Sequence, residues 1–387
     1  MAALPARIVG VYEHPRRVIT DMSVPELHAE VALGALADAG LALTDVDALY
    51  CAGDAPGIGP FSMAEYLGLR PKVFNTTDIG GASPIASVGE AAWAIAGGRC
   101  SVALITSAGL PRQVAPARTA DAGLASPPEA HWEPAAASTV PALYALCAMR
   151  HMYEFGTTSR DLAEVKVASA WHASHNPNAL LPRRVTVDEV LESPMISDPL
   201  HRLDCCVVTD GGGAIVVAAP EVAAQLSRAS VAVRGYGASL KNTGAGAADL
   251  TYTGGVISGQ QAFSEASVRP ADIQYASIYD SYTITVIMNL ESLGFCAHGA
   301  GGRFVRDGTL QAPGGALPVN TDGGGLSSNH PANRGGVTKV IEAVRQLRGE
   351  ANAGVQVPGC TLALAHGAGG HLGTRMGAAT VILEGGT

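Results

Sequence analysis

A glycine turn ahead of a helix is the first place in the sequence where chemistry could be done. Residues 79–95 read IGGASPIASVGEAAWAI, so two glycines and a small polar residue precede an apolar helical pattern. Such a turn can hold a nucleophile at a helix N-terminus, where the helix dipole stabilises negative charge. Ser83 is the nucleophile that this stretch offers. No aspartate–histidine pair lies near it in the sequence, so a helix-capping serine is the simpler interpretation.

A second group of candidate residues follows a short predicted strand. Tyr279, Asp280 and Tyr282 come there in the order YDSY. A phenol can act as an acid or a base if its neighbours shift its pKa, although tyrosines in such a stretch are often only core residues. Both interpretations of the two tyrosines stay open at this point.

Histidines in glycine-rich loops form the third group. His330 follows Asn329 in NTDGGGLSSNHPANRGG, which leads into a predicted helix. An imidazole N–H in such a loop can stabilise an oxyanion, or the histidine can simply structure the loop. His366, in the loop AHGAGGHLG, is either a pocket residue or a loop filler, and His371 is less well placed.

Metal and disulfide chemistry is not favoured by the sequence. The seven cysteines form no CxxC pair, so we expect reduced thiols, with Cys205 and Cys206 in the core. Cys296, on a loop after a helix, is the one cysteine to test as a nucleophile. His172 and His175 share a helical face, but no third ligand is near them in the sequence, so we predict no metal site.

Composition limits the kind of protein that holds these residues. The chain has 387 residues, of which 47% are hydrophobic and 15% are charged, enough for two core-bearing halves. Its net charge of −9 argues against nucleic acid as a general partner, but a local basic patch could still bind an anionic cofactor. No apolar run reaches the roughly 20 residues of a membrane span. The N-terminus lacks a signal-peptide layout, so a cytoplasmic location is expected.

An internal repeat supplies the elements that must position the candidates. Three pairs of segments resemble each other, namely 44–69 with 271–295, 80–109 with 334–370, and 211–221 with 377–386. Both halves read β-α-β with apolar strands, which is typical of a sheet covered by helices on both faces. We place the halves at 1–225 and 226–387. A segment at about 110–205 is inserted in the first half, with helices predicted near 140–155 and 159–174.

This organisation resembles the thiolase fold, and the motifs sharpen the resemblance. Residues 151–179 are similar to the loop domain of the sterol-carrier-protein type thiolases, and 199–218 to the strand entry that closes their first half. Residues 320–336 resemble their Gly-His-Pro loop. The resemblance implies an α/β thiolase fold, with two pseudo-equivalent βαβαβ halves in a five-layer α-β-α-β-α arrangement and a loop domain in the first half. It also implies a homodimer.

The resemblance also assigns roles to the candidate residues. Thiolases carry a nucleophilic cysteine at the N-terminus of the first-half helix, and the matching position is Gly81, which implies that the nucleophile is missing. The place of the family's second cysteine falls at His366, and YDSY replaces a catalytic motif. We therefore expect the catalytic residues to be His330, Tyr282, Tyr279, Asp280 and His366. We expect the acyl-CoA to lie against Gly81, Ser83, Gly324, Gly325 and Asn329.

Without a cysteine, covalent acyl transfer is hard to write, whereas retro-aldol cleavage needs no covalent step. The chain thus resembles cysteine-less thiolase homologues that act as steroid side-chain aldolases. This implies a lyase that cleaves a 3-hydroxyacyl-CoA through a thioester enolate, with no tightly bound cofactor and with coenzyme A entering as part of the substrate. It also implies a partner subunit of the zinc-ribbon plus OB-fold type.

Two alternatives stay open. The first is an acetyl-CoA acetyltransferase or thiolase with an unrecognised nucleophile, such as Cys296 or Ser83. The second is a non-catalytic thiolase-like subunit of an acyl-CoA-processing complex.

Overall fold

The computed structural model describes residues 4–52, 55, 57–113, 139–242, 249–373 and 375–386. Its strands are β1 (Arg7–Glu13), β2 (Ala48–Ala52), β3 (Val73–Thr77), β4 (Val102–Gly109), β5 (Met195–Ser197), β6 (Leu200–His201), β7 (Gly211–Ala218), β8 (Val231–Lys241), β9 (Tyr275–Ile278), β10 (Leu362–Gly370) and β11 (Met376–Glu384). Its α-helices are α1 (Val24–Ala39), α2 (Pro60–Leu67), α3 (Ser83–Ala96), α4 (Val140–Phe155), α5 (Ser159–Ala173), α6 (Val187–Leu191), α7 (Pro220–Ala223), α8 (Gly255–Ala266), α9 (Thr283–Ser292), α10 (Gly301–Phe304) and α11 (Gly336–Arg348).

Nine of these strands follow one hydrogen-bonded order, β3-β2-β4-β7-β1-β8-β11-β10-β9. Only two residue pairs join β1 to β8, so the order consists of two sheets that meet along one edge. In the first sheet β3, β2 and β4 are parallel, and β7 and β1 return antiparallel. In the second sheet β9 and β10 are parallel, and β11 and β8 return antiparallel. In the second sheet, a parallel bridge between Ala276 of β9 and Val319 takes the place that β3 has in the first sheet. The strands of the two sheets therefore follow each other in the same order and with the same directions.

Helices cover both faces of each sheet, which gives the layers expected of the thiolase fold. α3 and α11 lie between the two sheets and share one hydrophobic cluster with residues of both. α1 and α2 cover the outer face of the first sheet, and α8 and α9 cover that of the second. Because α11 faces a sheet on both sides, all of its residues except Arg345 and Arg348 are buried.

The inserted segment contains α4 and α5, which confirms the two helices predicted there. Thr158 is the N-cap of α5, and its side chain and that of Asp161 form a capping box. α5 packs on the loop that carries His330. The proposed division of the chain at 225/226 falls between α7 and β8 and stays a prediction. Of the helices in the described residues, none is both long and apolar enough to cross a membrane.

Candidate active site

The N-terminus of α3 faces the loop that follows β9. Gly81 lies in a tight turn just before α3, and a Cβ placed on it would come within 2.5 Å of Tyr279 Cζ and of the Ala368 carbonyl oxygen. Real Cβ atoms essentially never approach other heavy atoms closer than 3.0 Å. The ring of Tyr279 therefore fills the space that any side chain at position 81 would need. The Tyr279 hydroxyl donates a hydrogen bond of 3.1 Å to the Ala332 carbonyl oxygen.

His330 lies beside this tyrosine. The centroids of the two rings are 5.4 Å apart, and the His330 backbone N–H donates to Thr209 Oγ1 at 2.9 Å. Its Nε2 atom is buried and has no hydrogen-bond partner among the described residues. Burial lowers the pKa of His330 to about 4, a shift that Asp280 opposes and Lys339 assists. At neutral pH, His330 is therefore an uncharged imidazole with one ring nitrogen left for a ligand.

Asp280 anchors the loop of His330 and has no free oxygen for chemistry. Its carboxylate accepts hydrogen bonds from the backbone N–H groups of Gly325 (2.8 Å) and Leu326 (3.1 Å) and from Lys339 Nζ (2.9 Å). Burial lowers the pKa of Lys339, but the nearby carboxylates of Asp280, Asp322 and Glu13 together outweigh burial and raise it, so the pair is ionic. The structure thus gives Asp280 a positioning role, and the catalytic role that we expected for it stays a prediction.

The two glycines of this loop are required by the same carboxylate. A Cβ on Gly324 would collide with Asp280 Oδ2, and the φ of Gly324 is +59°. A Cβ on Gly325 would lie 2.9 Å from His330 Cδ2. The glycines therefore let the backbone close over Asp280 and bring His330 next to it, and whether they also contact a thioester stays a prediction.

Asn329 does not face the tyrosines. Its Nδ2 donates to Glu13 Oε1 at 2.8 Å, and its Oδ1 accepts from Thr209 Oγ1 at 2.8 Å. Burial raises the pKa of Glu13, but Arg17 and Arg345 outweigh burial and lower it to about 2. Asn329 thus ties the loop to a buried ionic group, and its predicted contact with the acyl-CoA stays a prediction.

Tyr282 lies against Tyr144 of α4. Their ring centroids are 4.2 Å apart, and the Tyr144 hydroxyl donates to the Gly370 carbonyl oxygen at 3.2 Å. Burial raises the pKa of Tyr144 to about 12 and raises those of Tyr279 and Tyr282 further. All three are therefore neutral phenols at neutral pH, which can donate a proton or a hydrogen bond.

Ser83 is buried and closes the turn before α3. Its Oγ accepts a hydrogen bond of 3.0 Å from the Ile79 backbone N–H. Ser83 is thus the first residue of α3, and its side chain accepts from a residue that precedes the helix. The sequence predicted that it caps the N–H groups of the helix itself. The oxygen is engaged in this turn, and no base lies beside it among its described hydrogen-bond partners.

His366 is not brought to this group of residues. It is fully buried in β10, where its ring contacts Thr380 Oγ1 through Nδ1 at 2.9 Å. A Cβ placed on Gly255 of α8 would lie 3.5 Å from Cε1 of His366. By contrast, a Cβ placed on Gly367, the residue after His366, would meet the turn at Gly81. Neighbouring residues of a strand face opposite sides, so His366 points away from Gly81. In this structure His366 lies in the core, and its predicted catalytic role stays a prediction.

The other candidate ligands and thiols lie outside the group. His172 is fully buried and its Nε2 accepts from the Ala312 backbone N–H at 2.8 Å. Within the described part of the chain, no three metal-ligating side chains cluster. Cys296 follows the C-terminal end of α9, whereas Tyr282 precedes its N-terminal end. Cys205 and Cys206 are half-buried and lie ahead of β7, and Cys205 packs against the hydrophobic cluster on the outer face of the second sheet.

Two cavities are lined by residues that neighbour the Tyr279–His330 site, although neither Tyr279 nor His330 is among their lining residues. The first cavity, of about 650 Å³, is lined by Gly80, Gly369 and Asn333, among others. These three residues are adjacent in sequence to Gly81, Ala368 and Ala332, which lie around Tyr279. The second cavity, of about 530 Å³, is lined in part by Cys206 and Val207. The backbone N–H groups of these two residues donate hydrogen bonds to Ser281 of the YDSY segment and to Gly325 of the His330 loop.

Lys339 and Lys166 are the main site residues that the sequence analysis missed. Both are buried, and Lys166 Nζ donates to the Leu326 carbonyl oxygen at 2.6 Å and to Ser327 Oγ at 2.8 Å. Burial lowers the pKa of Lys166 to about 8. A lysine inside the apolar run VTKVIEAV was a usable signal for Lys339, because a buried cation needs a partner.

Comparison with known proteins agrees with this geometry. Residues 235–385 match the family model described as Thiolase C-terminal domain-like. The acetyl-CoA acetyltransferase of Methanothermobacter thermautotrophicus is 32% identical, over 95% of this chain and 97% of that protein. The 17-hydroxy-3-oxo-4-pregnene-20-carboxyl-CoA lyase of Mycobacterium tuberculosis is 33% identical, over 89% of this chain and 92% of that protein. This chain belongs to the thiolase superfamily.

Within the superfamily, the chain resembles the aldolases. The solved structure of the Ltp2-ChsH2(DUF35) aldolase matches it with a TM-score of 0.88 and 32% sequence identity, and the match covers 100% of this chain and 99% of that one. The predicted resemblance and the predicted thiolase fold are both confirmed.

Proposed function

We propose that this chain is an acyl-CoA lyase that cleaves a 3-hydroxyacyl-CoA by a retro-aldol reaction, with no covalent intermediate. One observation carries the proposal: the ring of Tyr279 fills the space where a nucleophilic side chain at Gly81 would lie. The similarity to a pregnene-carboxyl-CoA lyase and to an aldolase supports it. A bulky acyl group such as a steroid side chain is the substrate class that these relatives favour.

The proposed reaction balances without an acyl-enzyme. A base accepts the proton of the β-hydroxyl group, the Cα–Cβ bond breaks, and its electron pair passes to the thioester as an enolate. His330, through its unpartnered Nε2, donates a hydrogen bond to the enolate oxygen. One of the neutral phenols, Tyr279 or Tyr282, then protonates Cα, which leaves a ketone or aldehyde and a shortened acyl-CoA. None of these steps calls for a tightly bound cofactor.

The cavity next to Gly80 fits the acyl group. Its lining includes Ile79, Val140, Leu240 and Met376. Leu240 is 71% exposed and Val140 is 52% exposed, so apolar surface is available to a bulky substrate at this mouth.

We also propose that the chain assembles with other subunits. The edge strand β3 is half exposed, and Phe74 on it stacks on Phe61 at 5.2 Å with both rings exposed. An apolar edge of this kind needs a cover, and a second copy of the chain supplies one in a homodimer. A monomer of 39.3 kDa in solution would contradict the dimer. The aldolase pair Ltp2-ChsH2(DUF35) supports a further partner subunit, for which the zinc-ribbon plus OB-fold type is our expectation.

An acetyltransferase is the second candidate function, favoured by the 32% identity to an acetyl-CoA acetyltransferase. That reaction needs an ionised nucleophile. Burial raises the pKa of the thiols of Cys51 and Cys100 to about 11 and that of Cys296 to about 12, which is the opposite of what a nucleophile requires.

Product analysis tests the proposal. The chain is incubated with 3-hydroxyacyl-CoA thioesters that carry a bulky tertiary β-carbon, and the thioesters are separated by mass spectrometry. We expect one shortened acyl-CoA and one free carbonyl compound per turnover, with no consumption of coenzyme A. A chain that leaves these thioesters intact but converts a 3-ketoacyl-CoA and coenzyme A into two acyl-CoA products would favour the acetyltransferase.

Substitution of the phenols tests their assignment. We expect Tyr279→Phe or Tyr282→Phe to abolish this cleavage. Tyr153→Phe, at a position that is 84% exposed, is the matched control and should not affect it. If both site variants keep full turnover, neither phenol is the acid.

A further inference from the structure

We propose that Lys166 of α5 is a positioning residue, which holds the loop of His330 in the geometry that the enolate requires. This inference rests on the proposed function, because it presumes that His330 donates a hydrogen bond to an enolate oxygen. The Lys166 side chain is almost fully buried, and no step of the proposed reaction uses its ammonium group. Nothing in the sequence analysis assigned it a role.

The loop ahead of His330 is held from two opposite sides. Gly324–Ser328 form one π-helical turn, which ends two residues before His330. Asp280 accepts hydrogen bonds from two backbone N–H groups of this turn. The Leu326 carbonyl oxygen accepts from Lys166 Nζ at 2.6 Å. The N–H and C=O groups of a helical turn point in opposite directions along its axis, so this turn lies between a carboxylate and an ammonium group.

The inserted segment supplies further donors to the carbonyl side of the loop. They are Ser169 Oγ to the Gly323 oxygen at 2.8 Å, Asn176 Nδ2 to the Asp322 backbone oxygen at 2.8 Å, and the backbone N–H groups of Leu181 and Leu180 to the backbone oxygens of Ser327 at 2.9 Å and Ser328 at 3.2 Å. Lys166 and Ser169 lie three residues apart, on one face of α5. Ser327 Oγ joins them, because it contacts Lys166 Nζ and Ser169 Oγ, each at 2.8 Å. Lys166 is thus the charged member of a connected set of donors.

The charge of Lys166 distinguishes it from the other donors. A hydrogen bond from an ionised donor is roughly twice as strong as one between neutral groups. Burying an ammonium group costs free energy, and this burial lowers the pKa of Lys166 to about 8, although Asp280 and Asp204 oppose the shift. A methionine of similar length would fill the same space without that cost. The charge therefore indicates a role other than packing, and the group on which it acts is the Leu326 carbonyl.

Lys166 changes its charge within an accessible pH range. It lines the second cavity, so its proton can exchange with solvent. The titratable and charged groups that face it are Asp280, Asp204 and Cys206 and, in the lining of the same cavity, Arg112, Arg183 and Arg202. Burial raises the pKa of the Cys206 thiol above its usual range, so that thiol is neutral. As the pH rises through about 8, Lys166 loses its charge and the loop loses its cation.

This loss of charge has opposite effects on the loop and on the whole fold. The pKa of Lys166 is lower in the folded chain than the ordinary 10.5, so between pH 8 and pH 10.5 the unfolded chain binds more protons. Lys166 therefore contributes stability that increases with pH in this range. A decline of turnover above pH 8 without a decline of stability is thus the expected sign of a positioning role. Burial raises the pKa of Tyr279 and of Tyr282 well above the usual range, so the phenols do not cause this decline.

Amide hydrogen exchange tests the hold on the loop in the absence of substrate. Exchange into peptides that cover residues 322–330 is followed by mass spectrometry for the wild-type chain, Lys166→Met and Lys166→Arg. The matched control is Lys72→Met, because Lys72 is an exposed lysine that pairs with Asp47. We expect this segment to exchange about 10- to 100-fold faster in Lys166→Met, the effect of one hydrogen bond to a charged group. Lys166→Arg should recover part of the protection.

Turnover of a 3-hydroxyacyl-CoA tests whether this hold matters for the reaction. We expect Lys166→Met to lower kcat about 10- to 100-fold and to leave KM unchanged, because a displaced His330 loses a contact that is made in the transition state. In the wild-type chain kcat should decline above about pH 8. Lys166→Arg should not show this decline, because a guanidinium group stays charged.

The two proposals fail in different ways. A Lys166→Met variant with the exchange of Lys72→Met, or with a normal kcat, would overturn the positioning role and keep the lyase. A wild-type chain that cleaves no 3-hydroxyacyl-CoA would overturn the lyase, and the exchange would still show whether Lys166 holds the loop. If Lys166→Met does not fold, the protection of 322–330 below and above pH 8 decides, after correction for the intrinsic effect of pH. It should fall in the wild-type chain and not in Lys166→Arg, and equal protection in both would overturn the inference.

Discussion

Replacing Gly81 by alanine should disable the site, because Tyr279 lies where the new methyl group must go. The added Cβ would be 2.5 Å from Tyr279 Cζ and from the Ala368 carbonyl oxygen, against the 3.0 Å that real Cβ atoms respect. The φ of Gly81 is not positive, so the backbone itself accepts alanine. Any loss therefore measures crowding and not backbone strain.

The expected size follows from two opposing terms. Overpacking a well-packed interior costs about 1–3 kcal/mol. Gly→Ala at a compatible backbone position gains about 0.4–1 kcal/mol by restricting the unfolded chain. Crowding prevails, so the free energy of unfolding should fall by about 1–2 kcal/mol. Turnover should fall about 100-fold or more, which is the contribution of a displaced acid.

Urea denaturation and turnover measure these effects. Gly314→Ala is the matched control, because Gly314 has no heavy atom within 4 Å of a built Cβ and should tolerate alanine. In a Tyr279→Ala background, two of the three nearest atoms to the methyl group are gone and the Ala368 oxygen remains, so Gly81→Ala should cost less there. Wild-type stability and turnover in the single variant Gly81→Ala would refute the idea that Tyr279 occupies the nucleophile's place.

His330→Ala should fold and bind coenzyme A but lose about 100- to 1000-fold in turnover, because it removes a donor to the enolate; near-normal turnover would make His330 a loop-structuring residue. Lys339→Met should lower the free energy of unfolding in urea by about 3–5 kcal/mol, since it strands the buried Asp280 carboxylate, and an unchanged midpoint would show that the pair is dispensable. Folding lowers the pKa of His330 to about 4 and of His366 to about 3 from 6.5. Between pH 6.5 and pH 4 the unfolded chain thus binds more protons than the folded chain, so the free energy of unfolding should be full above pH 6.5 and fall toward pH 4. His366→Gln should make this decline less steep, and an unchanged slope in the variant would contradict the prediction.

Local patterns were enough to predict much of the fold and part of the site. The apolar strands and the amphipathic helices repeat along the chain, so the layered fold and the helices α4 and α5 were predictable. The missing nucleophile at Gly81 and the loop of His330 lie within continuous motifs, and the structure brings both to Tyr279.

The parts that sequence could not predict depend on long-range contacts. The pairing of Asp280 with Lys339, 59 residues away, could not be predicted from the sequence. The hydrogen bond from the Asn329 amide to Glu13, 316 residues away, could not be predicted either. The face of the sheet to which the His366 side chain points changes if the register of β10 shifts by one residue. A glycine-rich strand has too few side chains for the sequence to show that register.

Cleavage in deuterium oxide tests the central claim most directly, because a retro-aldol reaction leaves an enolate that must take a proton at Cα. The chain is incubated with a 3-hydroxyacyl-CoA without added coenzyme A, and both the thioester product and the intact protein are weighed. The account predicts one deuterium on C2 of the shortened acyl-CoA and no change in the mass of the protein. A shortened acyl-CoA without deuterium on C2, or a protein that gains the mass of an acyl group, would contradict it.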